Sequence, residues 1–194
     1  MRLIPVKKSL LITLGIVAAV VIIIVGGAIS AYNGIVDAEM TVDEKAATVD
    51  TQLTRRSDLI PNLVSTVKGY AAHEEEVYTA IADARAKLSG STSTTDKLEA
   101  NDELSSALSR LLVIVEQYPE LKASEQFIAL QDQLEGTENR IATARTDYNE
   151  AVKDYNARIR KFPSNLIAGM FGFEKREMYE APAGSDKAPT VDFG

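Results

Sequence analysis

A chain of 194 residues, 45% hydrophobic and 25% charged, has the size of one domain and the composition of a foldable protein. It has no cysteine, no tryptophan and one histidine, which excludes disulfides, thiolate metal sites and cysteine nucleophiles and leaves few groups for catalysis near neutral pH. With Arg2, Lys7 and Lys8 set aside, 18 basic residues stand against 28 acidic ones, a net of −10 that excludes a nucleic-acid footprint and disfavours lying flat on an anionic lipid surface.

From Leu10 to Ile29 the run LLITLGIVAAVVIIIVGGAI carries no charge. Twenty helical residues at about 1.5 Å each cover roughly 30 Å, the hydrocarbon thickness of a bilayer. Leu10, Leu11, Ile16, Val20, Ile24 and Ile29 are the anchor residues of this span. Ala28-Ile29-Ser30 resembles a signal-peptide cleavage site, but apolar cores of signal peptides run about 7–15 residues, so an uncleaved anchor is expected. Three basic residues precede the run and the first charges after it are Asp37 and Glu39. The positive-inside rule therefore puts the N-terminus in the cytoplasm and the rest outside. Gly15 and Ala19, four apart, would let two spans approach closely in a homo-oligomer.

Beyond the span the sequence reads as helix. Ile35, Val42, Ala46, Val49 and Leu53 form one apolar stripe. Asp58 is expected to cap a second helix that carries Pro61 in its first turn, which makes Arg55–Asp58 a corner. The alternative is one continuous helix kinked at Pro61, which would leave the first stripe unpaired. The second stripe runs Ile60, Leu63, Val67, Tyr70, Val77, Ile81, Ala84, Leu88. A polar loop over Ser89–Thr95 follows. Asp96 and Glu99 have the spacing of a capping box. The helix they would open carries Leu98, Leu104, Leu108, Leu111, Val115 and Tyr118 up to Pro119. In the last segment Phe127, Leu130, Leu134, Glu138, Ile141, Arg145, Tyr148, Val152, Tyr155, Ile159 and Phe162 recur at alternating steps of three and four, ending at Pro163. This last helix is longer than the others, so it overhangs or breaks at Gly136. Four amphipathic segments with short connections predict an all-α protein: an N-terminal transmembrane helix followed by an antiparallel four-helix bundle with long helices. The expected division is a short basic cytoplasmic N-terminus (1–9), the transmembrane helix (10–30), the bundle (31–173) and a flexible Pro/Gly/Ser-rich tail (174–194). FPSNLIAGMFGF, Phe162 to Phe173, either caps the open end of the bundle or meets the bilayer surface.

The blocks RRSDLIPNL (Arg55, Arg56, Asp58, Pro61, Asn62), EQYPELK (Glu116, Tyr118, Pro119, Lys122), ENRIATAR (Glu138, Arg140, Arg145) and YNEAVKDYN (Tyr148, Asn149, Tyr155, Asn156), followed by Phe162-Pro163, stand in this order. Between about Tyr32 and Phe173 the chain resembles the LemA family throughout. That resemblance implies a bacterial membrane protein with one N-terminal span, a helical bundle, and no established reaction or cofactor. Relatives in that family include a magnetosome membrane protein, and its genes often neighbour membrane metalloproteases or TPM-domain proteins. Those associations point to membrane organisation or a protease partner.

The chemical motifs are sparse. His73-Glu74 is the one acid–base pair, but no second histidine and no Glu three residues earlier complete a bundle metal site. An isolated boundary histidine is the commoner case. No Gly-x-Ser-x-Gly elbow, P-loop or Gly-x-Gly-x-x-Gly occurs. Glu138 and Arg145 occupy seam positions, where a charge needs a partner. Arg55 or Arg56, and Glu116, are the candidates across the bundle; the alternative is that the seam turns to solvent there. The two Tyr-Asn pairs, seven apart, lie on the seam as core tyrosines more often than as a ligand box. The sequence thus reads as a non-enzymatic scaffold or partner-recruiting protein of the bacterial cytoplasmic membrane. A ligand-sensing bundle or an adaptor of a membrane protease is the alternative. Its expected partners are the lipid bilayer, an unidentified membrane or envelope protein and a further copy of itself, with no nucleic acid, metal or cofactor.

Overall fold

Helices account for the regular structure throughout residues 8–180, the part that the computed structural model describes. The expected basic N-terminus over 1–7 and the tail over 181–194 lie outside the described residues. The first helix, α1 (Lys8–Lys68), runs for 61 residues without interruption. It contains the charge-free run, whose large apolar side chains are at least 49% exposed. It is the one helix among the described residues long and apolar enough to cross a membrane. An apolar surface open on every side is what lipid requires.

The corner expected at Arg55–Asp58 is absent, because α1 passes through Pro61. Ile35, Val42, Val49, Leu53, Ile60, Leu63 and Val67 are all buried. They step by seven, seven, four, seven, three and four, so the stripe keeps one phase across the proline. Pro61 is on the exposed side. Its missing N–H and the clash with the preceding turn cost about 3 kcal/mol in a helix interior. Burial of about 1.5–3 kcal/mol for each large apolar side chain on either side outweighs that.

The turn falls later, over Gly69–Glu74, inside what reads as one stripe in the sequence. The N–H groups of Tyr70 and Ala71 both bond the Val67 carbonyl, at 3.0 and 2.9 Å. Tyr78, on α2 (Glu75–Gly90), donates its hydroxyl to the Ala71 carbonyl at 2.7 Å, and Lys68 Nζ lies 4.7 Å from its ring centre. A single tyrosine thereby staples the corner. The loop before α3 (Thr94–Val115) is shorter than expected, and Ser93 is the cap: its hydroxyl accepts from the Asp96 N–H at 3.0 Å. Asp96 is therefore in the first turn rather than at the cap. Pro119 opens a single turn, α4 (Pro119–Lys122), in the first position where a missing N–H costs nothing. The long α5 (Glu125–Arg160) is unbroken at Gly136, and α6 (Ser164–Phe171) ends at Gly172 with φ 75°, a left-handed cap that suits glycine.

Two units divide the chain. Among the described residues, the larger comprises Asp43–Val152 and 177–180. Its four long segments alternate in direction. Lys45 and Arg56 of α1 meet Asp147 and Glu138 of α5 in antiparallel order. Ser57 and Lys68 of α1 meet Arg85 and Tyr78 of α2, again antiparallel. Asp50 and Arg56 of α1 meet Lys97 and Asn101 of α3 in parallel order, as up–down–up connectivity demands. Its core holds Leu63, Ile81, Leu98, Leu104, Leu111, Leu121, Phe127 and Ile141. The smaller unit comprises, among the described residues, 8–42 with Lys153–Arg176, and Ile35, Tyr155, Ile159 and Ala168 are buried in it.

Replacing Pro61 by alanine tests the continuous helix. Pro61→Ala should raise the unfolding free energy of the detergent-solubilised chain, by about 1–3 kcal/mol in urea titration. A proline in the first turn of a separate helix would give no gain.

Candidate functional site

The polar interior of the larger unit centres on Arg56. Position 56 falls on the buried stripe of α1, between Leu53 and Ile60, and the residue is 5% exposed. Its Nη1 donates to Asn101 Oδ1 at 2.6 Å and to Ser105 Oγ at 2.9 Å, both on α3. The same nitrogen lies 2.6 Å from Glu138 Oε2 on α5. That contact is coulombic rather than an aligned hydrogen bond, since Glu138 Oε2 has no hydrogen-bond donor among the described residues. Burial lowers the pKa of Arg56, while Glu138 raises it. A guanidinium stays charged in such a site. Arg56 Nε and Asn101 Nδ2 are buried without hydrogen-bond partners among the described residues. Such an imperfect network sets register better than it adds stability.

A second cluster sits beside it. Arg145, seven residues after Glu138 on α5, pairs with Asp102 of α3, and its Nη2 also reaches the Leu98 carbonyl at 3.4 Å. Tyr179 donates its hydroxyl to Asp102, and its ring lies 4.8 Å from the Arg145 guanidinium carbon. Burial first, and then the bond to Asp102, push the Tyr179 phenol up to about 12; Arg145 pulls the other way. Asn101 and Asp102, adjacent on α3, thus serve two different arginines.

The two Tyr-Asn pairs of α5 hold backbone. Asn156 donates to the Arg176 carbonyl at 2.8 Å and accepts from the Arg176 N–H at 3.0 Å. Asn149 treats Tyr179 the same way, at 2.8 and 2.9 Å. Tyr155 donates to the Glu174 carbonyl at 3.0 Å and Tyr148 to the Glu177 carbonyl at 3.2 Å. The stretch 174–180, expected as the start of a free tail, is therefore fastened to α5.

The other motif residues scatter. Arg55, Asp58, Asn62 and Arg140 are exposed. Glu116 pairs with Lys122 on the surface beside the half-buried Tyr118 and the exposed Pro119, and so does not partner Arg145. Phe162 and Pro163 are exposed, and so are the anchor residues Leu10, Leu11, Ile16, Val20, Ile24 and Ile29. His73 is exposed in the α1–α2 turn, and no group of three or more His, Cys, Asp or Glu side chains among the described residues could hold a metal ion. Sequence reasoning missed Asn101, Asp102, Ser105 and Tyr179. The signal for Asn101 was available: it fills the seam position between Leu98 and Leu104/Ser105, where an apolar residue is expected. Acids and bases here are matched internally, an arrangement that fixes helices and leaves no free base or nucleophile in this cluster.

Two outcomes follow for stability. Glu138→Ala strands the Arg56 charge and should cost about 1–3 kcal/mol, below the usual 3–5 because Glu138 is part-exposed. Joint replacement by Arg56→Met and Glu138→Leu should recover most of that loss in a double-mutant cycle. Tyr179 has a folded pKa of about 12 against an unfolded value of 10.0. Its contribution is therefore complete below about pH 10 and lost as pH rises through about 12. The stability gap between wild type and Tyr179→Phe should close between about pH 10 and 12 in urea titrations. A gap independent of pH would contradict the Tyr179–Asp102 bond.

The model of the LemA family matches residues 45–193. The magnetosome proteins MamQ 2 and MamQ 1 of Paramagnetospirillum magneticum are each 30% identical to this chain over 180 residues, 79% of this chain and 66% of theirs. Protein LemA of Metamycoplasma hominis is 28% identical over 115 residues, 59% of this chain and 52% of its own. The chain thus spans just under two thirds of the length of the magnetosome relatives. With most of the chain matched, from within the α1 stripe through the Arg56, Arg145 and Tyr-Asn contacts, it belongs to the LemA family.

Proposed function

We propose that this chain is a membrane-tethered scaffold that recruits a protein partner in the bacterial envelope. The observation that carries this reading is the matching of charge between the helices. Arg56 with Glu138 and Arg145 with Asp102 spend their polar capacity on holding helices in register. What the bundle offers outward includes the exposed side chains of Arg55, Asn62 and Arg140. The names of the magnetosome relatives support a role tied to a larger cellular assembly. In the arrangement we propose, 10–30 is the anchor and 31–173 the working body. The N-terminus is cytoplasmic and the bundle extracytoplasmic, because Arg2, Lys7 and Lys8 precede the span. The partner is a membrane or envelope protein, a membrane protease among the candidates, or a further copy of this chain.

Photo-crosslinkers at positions 55, 62 and 140 in intact cells should capture the same partner from each position, and external protease should digest the bundle in spheroplasts. Turnover of a substrate by the purified chain, lost on changing one side chain, would overturn the scaffold reading. A cleft of about 340 Å³ in the larger unit, lined by Leu108, Leu112, Gln131, Leu134 and Glu135 with Arg56 at its base, favours a ligand-sensing bundle as the second reading. A small ligand that raises the melting temperature of wild type, and not of a Leu112→Arg variant, would select it.

A further inference from the structure

Within the smaller unit, α6 lies against the end of the membrane span. Pro163 and Ser164 line a cleft of about 300 Å³ together with Gly27, Ser30, Ala31 and Gly34 of α1 and with Arg158. Arg158 Nη1 donates to the Gly34 carbonyl at 2.6 Å, an approach that a side chain at position 34 would obstruct, since a Cβ there would fall 2.7 Å from the same nitrogen. At the other end of α6, Phe171 and Phe173 pack on Tyr32, with ring centres 4.8 and 5.7 Å apart. The five residue steps of α1 from Gly27 to Tyr32 cover about 7.5 Å. The last charge-free turn of the span lies in that interval, and α6 lies alongside it.

The face of α6 turned away from the protein is apolar and uncovered. Phe162, just ahead of the helix, is 80% exposed, Met170 77%, and Leu166 is also exposed. Leu166 and Met170, four residues apart, form a stripe along one face of α6, and the exposed Phe162 stands just ahead of it. The opposite face rests on the protein through Ala168, Ile167 and Ser164. Charge follows the same geography. From residue 31 to 152 the chain has 22 acidic and 11 basic residues, but from Lys153 to Arg176 it has six basic and two acidic. Arg160, Lys161 and Lys175 flank the stripe and are exposed.

The geometry points to α6 as a second membrane contact: an amphipathic helix lying in the interface of the bilayer that α1 crosses, with Arg160, Lys161 and Lys175 on anionic lipid phosphates. α6 lies beside the last turn of the span, so the occupant of its uncovered face is the same lipid. An interfacial helix buries its apolar face about 5–10 Å into the headgroup boundary, which matches the depth of Gly27–Tyr32. Basic residues beside such a helix are drawn to an anionic surface. Tyr32 has the amphipathic ring that favours this level. The net acidity of the rest of the chain does not oppose the contact, since the segment that touches lipid is basic. The inference does not depend on the scaffold reading and would stand without a protein partner.

Because the chain has no tryptophan, a single introduced indole reports its own surroundings. Met170→Trp and Phe162→Trp in the full chain, reconstituted into vesicles of phosphatidylcholine and phosphatidylglycerol, should be quenched by lipids brominated near the headgroup. Lipids brominated deep in the chain should quench them less. Ile24→Trp, within the span, should show the reverse order, and Val113→Trp on the bundle should show neither. Circular dichroism establishes that each variant keeps wild-type helix content. Quenching of Met170→Trp no greater than of Val113→Trp overturns the proposal. So does a blue-shifted, unquenched Met170→Trp, which identifies a second protein copy on the stripe. Arg160→Glu with Lys161→Glu, or vesicles without phosphatidylglycerol, should reduce the quenching of Met170→Trp. Equal quenching in all three cases overturns the phosphate contacts.

Discussion

A guanidinium cannot occupy the middle of a helical bundle unless other helices carry acceptors to it. Arg56 imposes that condition on the larger unit. Asn101 and Ser105 of α3 and Glu138 of α5 meet it, and each is delivered only in one register. Sliding any of these helices by a residue turns its acceptor by about 100° and moves it about 1.5 Å. Arg145 repeats the condition seven residues along α5, with Asp102 as the answer. The two conditions share a turn of α3, so the register of α3 against α1 and against α5 is settled together. The apolar stripes alone would tolerate a slip of seven. The charges do not.

Much of this was legible in the sequence. The stripes of α1, α2, α3 and α5 follow from the spacing of apolar residues, and seam positions at Glu138 and Arg145 announced that charges would need partners. The corner was misplaced because Pro61 and Asp58 have the local chemistry of a helix start, whereas Gly69 and the Tyr78 hydroxyl decide the turn through a contact seven residues away. The phase of the stripe carried the answer: Leu53 to Ile60 is one heptad, which a corner would have no reason to preserve. Local propensity lost to the continuity of a buried face. Ser93 was overlooked as a cap because Asp96 also fits the pattern, and the two differ by one turn.

Asp102 and Tyr179 were hidden for a different reason. Asp102 stands next to a seam residue rather than on the seam, so periodicity reads it as solvated. Tyr179 lies in a stretch with no periodicity at all. Its partners are 77 and 34 residues away, at Asp102 and Arg145. Contacts of that separation follow from the packed fold rather than from any local pattern. The same applies to Arg158 and Gly34, 124 residues apart.

The Tyr-Asn repeat shows how a pattern that looks like a ligand box can be an internal device. Each asparagine offers its amide oxygen and nitrogen to the N–H and C=O of one residue, as a neighbouring strand would. Seven residues of helix rise about 10.5 Å, and three residues of extended polyproline-like chain rise about 9 Å. Side chains repeating every seven on α5 therefore stay in step with backbone groups repeating every three, here Arg176 with Tyr179 and Glu174 with Glu177. All of these bonds go to main-chain atoms, so the side chains of 174–179 are not what the asparagines read. Conformation is the requirement: an extended chain satisfies both ends of each amide, and a helical one does not. The polar groups that a bound ligand would need are already engaged by the chain itself. That weighs against a ligand at the Tyr-Asn positions and explains why a segment rich in neither helix nor strand signals is nonetheless ordered.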